Sequence, residues 1–295
     1  MANLKEIRTR ISSVSSTRQI TSAMKMVSAA KLRKAQDAIL QLRPHAEKLG
    51  EILSAIADAL KEDDQNPYIA NRETDRVLLV VITSNKGLCG AFNSSVIKRV
   101  NSLANEKYAR QKANNNLHLL VIGKKAEDHF KKRNFTILKS RNDLFDDLSF
   151  ENVAKLATEL AGLFAKAEYD RIELVYNQFK NAAVQILTEE QFLPVKMEET
   201  GSDKIMTTYT DYIFEPSREY IVRELIPKSL KLQLYKAILD SNASEHGARM
   251  TAMHKATDNA TELIKELKLD YNKARQANIT NEILEIVSGA NALEG

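Results

Sequence analysis

The chain has 295 residues with a single Cys, no Trp and only 6% aromatic residues, and its nine Gly and five Pro are few for this length. Such a chain can bury a proper core, and the scarcity of chain breakers predicts long uninterrupted helices. One cysteine excludes an intramolecular disulfide framework, no apolar stretch reaches the roughly 18 residues of a membrane span, and the N-terminus lacks a signal peptide's apolar core, so we expect a soluble, intracellular protein.

The formal net charge of +4 is unevenly distributed along the chain. Residues 1–48 contain ten Lys or Arg against three Asp or Glu, whereas the remainder is net negative. A basic segment of this kind suits nucleic acid, an anionic membrane or an acidic protein partner, and charge alone does not choose among them. The segment lacks the interleaved aromatic residues on which single-stranded nucleic acid stacks.

The N-terminal segment predicts one long helix. It has no Gly or Pro between Ala2 and Arg43, and its first apolar residues recur at alternating spacings of three and four. We expect Pro44 to kink this helix or to mark the start of a second one. The strict heptad covers only the first turns because polar residues 12–18 interrupt it, so part of the helix is expected to face another partner.

The central region alternates strands and helices. Such alternation predicts a mostly parallel sheet with helices on its faces. The predicted strands are Val77–Thr83, Leu117–Ile122, Thr136–Leu138, Ile172–Tyr176 and Ala183–Leu187, the last paired through a turn at Asn181. The predicted helices are Phe92–Arg110, Lys124–Arg133 and Ser149–Glu168.

The C-terminal segment predicts a second long helix, because Gly247 is the only chain breaker between Pro227 and Gly289. Such a helix would be about 90 Å long, which is too long for a compact domain. The expected fold is therefore an α/β class plus a long coiled coil: an antiparallel pair of N- and C-terminal helices with an inserted Rossmann-like α/β domain. The expected domains are residues 1–62, 75–200 and 212–295.

The candidate chemical motifs favour structural roles. The loop Ser84–Gly90 follows the first strand, where α/β folds cradle phosphate, but its glycine spacing matches neither the dinucleotide fingerprint nor the P-loop. Cys89 has no evident base beside it. The acidic patch of Asp143, Asp146 and Asp147 is explained by loop and helix-cap roles. We therefore expect no catalytic residue, cofactor or metal ion.

Two of the five His residues lie on the C-terminal helix. His246 and His254 are eight residues apart, so they do not form the four-residue pair of a zinc-binding helix. We expect both to be solvated or interfacial.

Two helical segments, Ile20–Lys34 and Tyr271–Ile283, are rich in small, polar and basic residues where a plain coiled coil would be apolar. Around them the sequence closely resembles the gamma subunit family of F-type ATP synthases, and the resemblance covers the whole chain. Its most specific pieces are Met24–Gln36, Ala243–Met250, Thr257–Ala260 and Ile286–Ala290.

The resemblance implies a central rotor stalk without an active site of its own. The two terminal helices would thread a hexamer of three alpha and three beta subunits, and the α/β domain would rest on the membrane c-ring beside the epsilon subunit. Rotation with the c-ring would drive the catalytic beta subunits through their conformations. The implied location is the cytoplasmic face of the bacterial cell membrane, with membrane contact only through partner subunits and no nucleic-acid partner.

The resemblance also implies a beta-subunit interface. Its expected residues are Met24, Lys25, Arg249, Arg275, Gln276 and Thr280. Met24 and Arg249 match family positions near an acidic lever loop of beta, and the last three match positions that hydrogen-bond a catch loop. Gly247 stands where the family commonly has Ala, and we expect it to soften the helix by about 1 kcal/mol.

The residues alone leave two alternatives open. The first is an α/β nucleotide-binding protein that carries helical arms for oligomerisation. The second is a coiled-coil adaptor whose basic arm binds nucleic acid or a membrane.

Overall fold

The computed structural model describes residues 4–55, 67–69, 72–195 and 218–294. The helices are α1 Leu4–Ala55, α2 Phe92–Asn105, α3 Ala109–Ala113, α4 Lys124–Phe130, α5 Phe150–Ala165 and α6 Arg218–Glu294, with a 3-10 turn at Asn142–Phe145. The strands are β1 Val77–Ile82, β2 Leu117–Ile122, β3 Thr136–Ser140, β4 Arg171–Phe179 and β5 Gln185–Leu193.

The five strands form one sheet in the order β3-β2-β1-β4-β5. β1 pairs in parallel with β2 and β4, β2 pairs in parallel with β3, and only β5 is antiparallel to its neighbour. All six residues of β1 are fully buried, as expected for a central parallel strand covered on both faces. The predicted α/β class and mostly parallel sheet are confirmed.

Helices cover both faces of the sheet. α5 and the N-terminal half of α6 pack on one face, and α2 with α4 packs on the other. Each helix contributes residues at helical spacing, and each fully buried aliphatic or Phe side chain stabilises the fold by about 1.5–3 kcal/mol. α5 contributes Val153, Leu156, Leu160 and Phe164, and α6 contributes Ile226, Leu230, Leu234 and Ile238.

Two predicted elements differ from the structure. The helix predicted over Phe92–Arg110 is two helices, since α2 ends at Asn105 and α3 begins at Ala109. Between them the Tyr108 side chain is buried in the core, and the Lys107 ammonium contacts the buried carboxylate of Glu173 at 2.6 Å. These two tertiary contacts explain why the helix is interrupted between Asn105 and Ala109.

The hairpin of β4 and β5 is longer than the alternation predicts. β5 was expected to end at Leu187 but continues to Leu193, because its polar residues find partners in the folded chain. Glu190 accepts a hydrogen bond from the Tyr176 hydroxyl, and Arg171 donates to Gln191. The turn is held by the Asn181 side chain, which accepts from two backbone N–H groups, so the predicted turn is confirmed.

α1 runs through Pro44 without interruption, so the alternative of a second helix starting there is wrong. A proline removes one hydrogen bond of the helix, and the other turns remain. The C-terminal helix extends past both Pro227 and Gly289, beginning at Arg218 and ending at Glu294, within the predicted range 212–295.

Gly247 permits a close backbone contact that the sequence did not reveal. A Cβ atom at Gly247 would lie 3.1 Å from the Ala182 Cα and 3.2 Å from the Ala182 carbonyl oxygen. The hairpin turn therefore approaches α6 at a position where only a residue without a side chain avoids crowding.

The chain divides into two compact units, Met1–Ala29 with Arg249–Gly295 and Ala30–Ala248, and both long helices contribute to each. We call the first the two-helix unit and the second the α/β unit. The α/β unit contains the sheet and its covering helices. In this unit α1 buries Leu32 and Ala35.

The two helices of the two-helix unit pack through one seam, defined by covered residues at alternating spacings of three and four. On α1 the seam residues are Leu4, Ile7, Ile11, Val14, Arg18, Thr21, Lys25 and Ser28. On α6 they are Met250, Met253, Thr257, Ala260, Ile264, Leu267, Tyr271 and Ala274.

One hydrogen bond sets the register of this seam: the Thr257 hydroxyl donates to the Thr21 hydroxyl at 2.9 Å. With Thr21 opposite Thr257, antiparallel helices bury both Ile7 and Leu267 against the facing helix of this unit. Parallel helices would instead place Leu267 beyond the end of the Met1–Ala29 segment. The predicted antiparallel pair is confirmed. The heptad spacing continues past Val14, although the seam residues there become polar.

Candidate partner-binding surface

The six predicted interface residues lie in the two-helix unit in two groups. Met24 and Lys25 are half-buried on α1, and Arg249 is 8% exposed on α6. The antiparallel register places Arg249 about one helical turn from Lys25. Lys25 occupies a seam position, so its aliphatic stem packs in the seam while the ammonium reaches water.

The second group is exposed and lies further along α6. Arg275 is about 39 Å from Arg249 along the helix axis. Gln276 and Thr280 are also exposed, and the Thr280 hydroxyl donates to the Gln276 carbonyl at 2.9 Å. That internal bond fixes the direction of the hydroxyl proton and leaves its oxygen able to accept a further hydrogen bond.

The outer face of α1 carries exposed apolar side chains. Ile20 is 61% exposed, Met26 and Val27 are exposed to a similar degree, and Ala23 lies between them. Ile20, Ala23 and Val27 follow one another at spacings of three and four, so they form a stripe away from the seam. A contiguous exposed apolar stripe of this kind indicates a protein contact.

The C-terminal end of α6 is uncovered. The register set by Thr21 and Thr257 places Leu4, the first described residue of α1, opposite Ala274, where the described seam ends. Every residue from 275 to 291 is exposed. This segment is about 25 Å long. Its exposed apolar residues are Ile279, Ile283, Leu284, Ile286 and Val287. A single helix of this length is marginally stable in water, so its apolar surface points to a partner.

Both segments stand out in the sequence as small, polar and basic. The exposed apolar residues were not predicted, and of these Ile286 is the most exposed at 70%. The heptad spacing of α1 could have identified Ile20 and Val27. When that spacing is continued through the polar residues of α1, both residues lie outside the seam positions.

The loop Ser84–Gly90 is a turn whose polar groups bond to one another. The Asn93 side chain accepts from the Ser84 backbone N–H at 2.9 Å and donates to the Cys89 sulfur at 3.2 Å. Cys89 is 1% exposed. Leu88 and Gly90 both have positive φ, which gives the sharp reversal from strand to helix. The predicted structural turn is confirmed.

The acidic patch also has structural roles. The Asp143 carboxylate receives two hydrogen bonds from the Arg141 guanidinium, which outweigh burial and lower the pKa of that carboxyl. The Asp147 carboxylate accepts from the Asn152 side chain at 2.9 Å near the start of α5. These contacts agree with the predicted loop roles of the two residues, whereas the residue that caps α5 is Ser149.

The two His residues of α6 differ in exposure. His254 is exposed and lies 3.2 Å from the Asp258 carboxylate, as the sequence predicted for a solvated residue. His246 is buried, which excludes the solvated alternative for this residue and leaves the interfacial one. Among residues 4–55, 72–195 and 218–294, no cluster of His, Cys, Asp or Glu could hold a metal ion.

A family model described as ATP synthase matches residues 3–293. Relatives named ATP synthase gamma chain are 60% identical in Flavobacterium johnsoniae and 58% identical in Christiangramia forsetii, and each alignment covers 100% of both chains. The chain belongs to the ATP synthase gamma chain family. A gamma chain is a non-catalytic subunit of the complex and part of its peripheral sector.

Solved structures share the fold. The central stalk and c-ring structure of Tetrahymena thermophila mitochondrial ATP synthase contains a chain 26% identical to this one, with a TM-score of 0.57, covering 80% of this chain and 99% of that one. A chain of the Euglena gracilis mitochondrial enzyme in rotational state 3 is 22% identical with a TM-score of 0.72, covering 98% and 94%. No helix in the described part of this gamma chain is long and apolar enough to cross a membrane.

Proposed function

We propose that this gamma chain is the central rotor stalk of a proton-driven ATP synthase. It couples rotation of the membrane c-ring to conformational cycling of the catalytic beta subunits. Its partners are three alpha and three beta subunits, the epsilon subunit and the c-ring, and it meets the membrane only through them. It works at the cytoplasmic face of a bacterial cell membrane, with residues 1–62, 75–200 and 212–295 as its domains.

The observation that carries this proposal is the uncovered end of α6. Residues 275–291 expose apolar side chains on a segment of α6 that no other described residue covers. A ring of subunits around this end would cover the apolar surface from several sides. Because the segment is a single helix without internal rotational symmetry, it contacts each surrounding subunit differently. That difference in contact free energy is what biases otherwise identical subunits toward different states.

The two groups of polar residues have separate roles in this proposal. Arg275, Gln276 and Thr280 form hydrogen bonds to a catch loop of beta, and Thr280 can accept there because its proton is already donated within the helix. Met24, Lys25 and Arg249 face an acidic lever loop of beta. An Arg guanidinium can form bidentate hydrogen bonds with a carboxylate, which suits this second contact.

The double substitution Arg275→Ala with Gln276→Ala tests the proposal. In the assembled complex it should lower ATP turnover roughly thirtyfold, since it removes one charged and one neutral hydrogen-bonding group, about 2 kcal/mol together. Turnover is measured as phosphate release by purified complex at saturating ATP. The helix content of the variant chain should not change, because both side chains are exposed.

Arg133→Ala provides the control. It removes the same charge from an exposed position after α4 in the α/β unit, and turnover should stay at the level of the unmodified complex. The proposed catch-loop contact is rejected if R275A/Q276A complexes assemble fully and turn over ATP as fast as the control.

A further inference from the structure

A cavity of about 880 Å³ lies within the α/β unit, and none of the predicted interface residues is part of its lining. Residues 33–46 of α1 form one wall, the end of β4 and the following Lys180 form a second, and Lys236 with Asp240 of α6 forms a third. Its volume is within the range of small-molecule sites. Neither the family nor the proposed rotor function assigns a role to it.

The lining combines positive charge with apolar surface. Four basic residues, Arg33, Arg43, Lys180 and Lys236, surround two acidic ones, Asp37 and Asp240. Across the part of the chain that the structure describes, none of the four basic side chains forms an ion pair or a side-chain hydrogen bond. The apolar wall consists of Ile39, Leu40, Leu42, Ala46 and Phe179.

Asp240 is the buried polar group of the cavity. It is 6% exposed, it lines the cavity, and no hydrogen bond to its carboxylate is found among the described residues. Burial raises its pKa to about 6, the positive charges of Lys236 and Arg43 oppose this shift, and the Glu190 carboxylate adds to it. Its oxygens are not among the fully buried atoms that lack a hydrogen-bond partner, so they are accessible from the cavity, where a bound molecule can hydrogen-bond to them.

The other groups around Asp240 are already engaged or lie at the rim. Glu190 of β5 accepts from the Tyr176 hydroxyl at 2.8 Å and from the Gln233 amide at 2.7 Å. The exposed charged residues of the lining, which lie at the mouth, are Arg33, Asp37, Arg43, Lys180 and Lys236. Near pH 6 and below, the protonated Asp240 is therefore the hydrogen-bond donor of the inner wall, with Arg43 and Lys236 as the nearest cations.

We propose that this cavity binds a small amphipathic anion, with its apolar body against Ile39 and Phe179 and its sulfate, phosphate or carboxylate head held by Arg43, Lys236 and Asp240. The excess of two positive charges in the lining selects an anion over a cation. The apolar wall selects a head that carries a hydrocarbon body over a free inorganic ion.

Calorimetric titration of the full-length chain with 1-octanesulfonate, kept below its micellar concentration, tests the site. The expected result is 1:1 binding that Arg43→Gln with Lys236→Gln weakens roughly tenfold. The matched control is Lys265→Gln with Lys268→Gln, which removes two exposed charges from α6 outside the cavity and leaves the affinity unchanged. Circular dichroism confirms that each variant is folded.

Two further ligands test the chemical class. Octyl glucoside has the same alkyl chain without charge, and inorganic sulfate has the anionic head alone, so both should bind at least about tenfold more weakly than 1-octanesulfonate. Equal binding of octyl glucoside or of sulfate overturns the proposal, and so does unchanged octanesulfonate binding by R43Q/K236Q.

The pH dependence tests the part played by Asp240. A sulfonate stays ionised throughout, so only protein groups titrate. Ionised Asp240 repels the anion, and binding to the unmodified chain should weaken about fivefold from pH 5 to pH 8. Asp240→Asn carries no charge and should bind equally at both pH values. If the affinity of Asp240→Asn for 1-octanesulfonate depends on pH as strongly as that of the unmodified chain, the role of Asp240 is refuted.

Discussion

The contact at Gly247 gives a prediction whose sign differs from that of an ordinary helix substitution. Replacing Gly by Ala inside a helix normally stabilises it by about 1 kcal/mol. At Gly247 the new Cβ would lie 3.1 Å from the Ala182 Cα and 3.2 Å from its carbonyl oxygen. These are backbone atoms of a turn fixed by the Asn181 side chain, so relief requires the turn to move as a whole.

The expected cost of this crowding is about 2 kcal/mol, within the usual range for an overpacked site. Subtracting the gain in helix propensity leaves Gly247→Ala destabilising by about 1 kcal/mol. The assay is urea unfolding of the full-length chain followed by circular dichroism at 222 nm, with the transition midpoint and slope compared between variants.

Gly162→Ala is the matched control. Gly162 lies in α5, and a Cβ atom added there would meet nothing within 4 Å. This variant should therefore be more stable than the unmodified chain by about 0.5–1 kcal/mol. If Gly247→Ala stabilises the chain as much as Gly162→Ala does, the close approach of the turn to α6 is not a constraint and the reasoning is wrong.

Two further predictions concern buried polar groups of the α/β unit. Burial opposes ionisation of Glu173, but hydrogen bonds and charge from Lys107 and its neighbours outweigh burial and lower the pKa of this carboxyl. The ionised carboxylate therefore stabilises the fold at neutral pH, and this stabilisation is lost as the pH falls through the lowered pKa. Glu173→Gln should lower the free energy of unfolding at pH 7 by about 3 kcal/mol and flatten its acid dependence; urea midpoints that shift equally at pH 7 and pH 3 would contradict this. Asn93→Ala removes the bonds to Ser84 and to the Cys89 sulfur, so a thiol reagent should label Cys89 at least about tenfold faster, and an unchanged labelling rate would show that the turn is held by other contacts.

The sheet and its covering helices could be predicted because the apolar pattern within each segment already indicates which residues are buried. β1 is a continuous apolar run, and α5 repeats apolar residues at helical spacing, so each is recognisable without its neighbours. The length of β5 could not be predicted, since residues such as Glu190 become strand residues only when their partners on β4 and α6 are in place. The break after Asn105 depends on Tyr108 and Lys107 in the same way.

The seam between the terminal helices was predicted for its apolar half only. Beyond Val14 its positions are occupied by Arg18, Thr21, Lys25 and Ser28, which a rule based on apolar residues does not count. Their covered state follows from the partner helix, as the hydrogen bond of Thr21 to α6 shows. The polar residues of α1 that suggested a face turned away from α6 therefore lie in part within the seam.

The sequence by itself determined two long helices, a mostly parallel sheet between them and membership of the gamma chain family, because these depend on periodicity and on motifs local to the chain. Only the tertiary structure decided which face of α1 is left uncovered, why Gly247 is required, and that Asp240 lines a cavity. The physical reason is that crowding, burial and the pairing of polar groups arise between residues far apart in sequence, here as distant as Thr21 and Thr257.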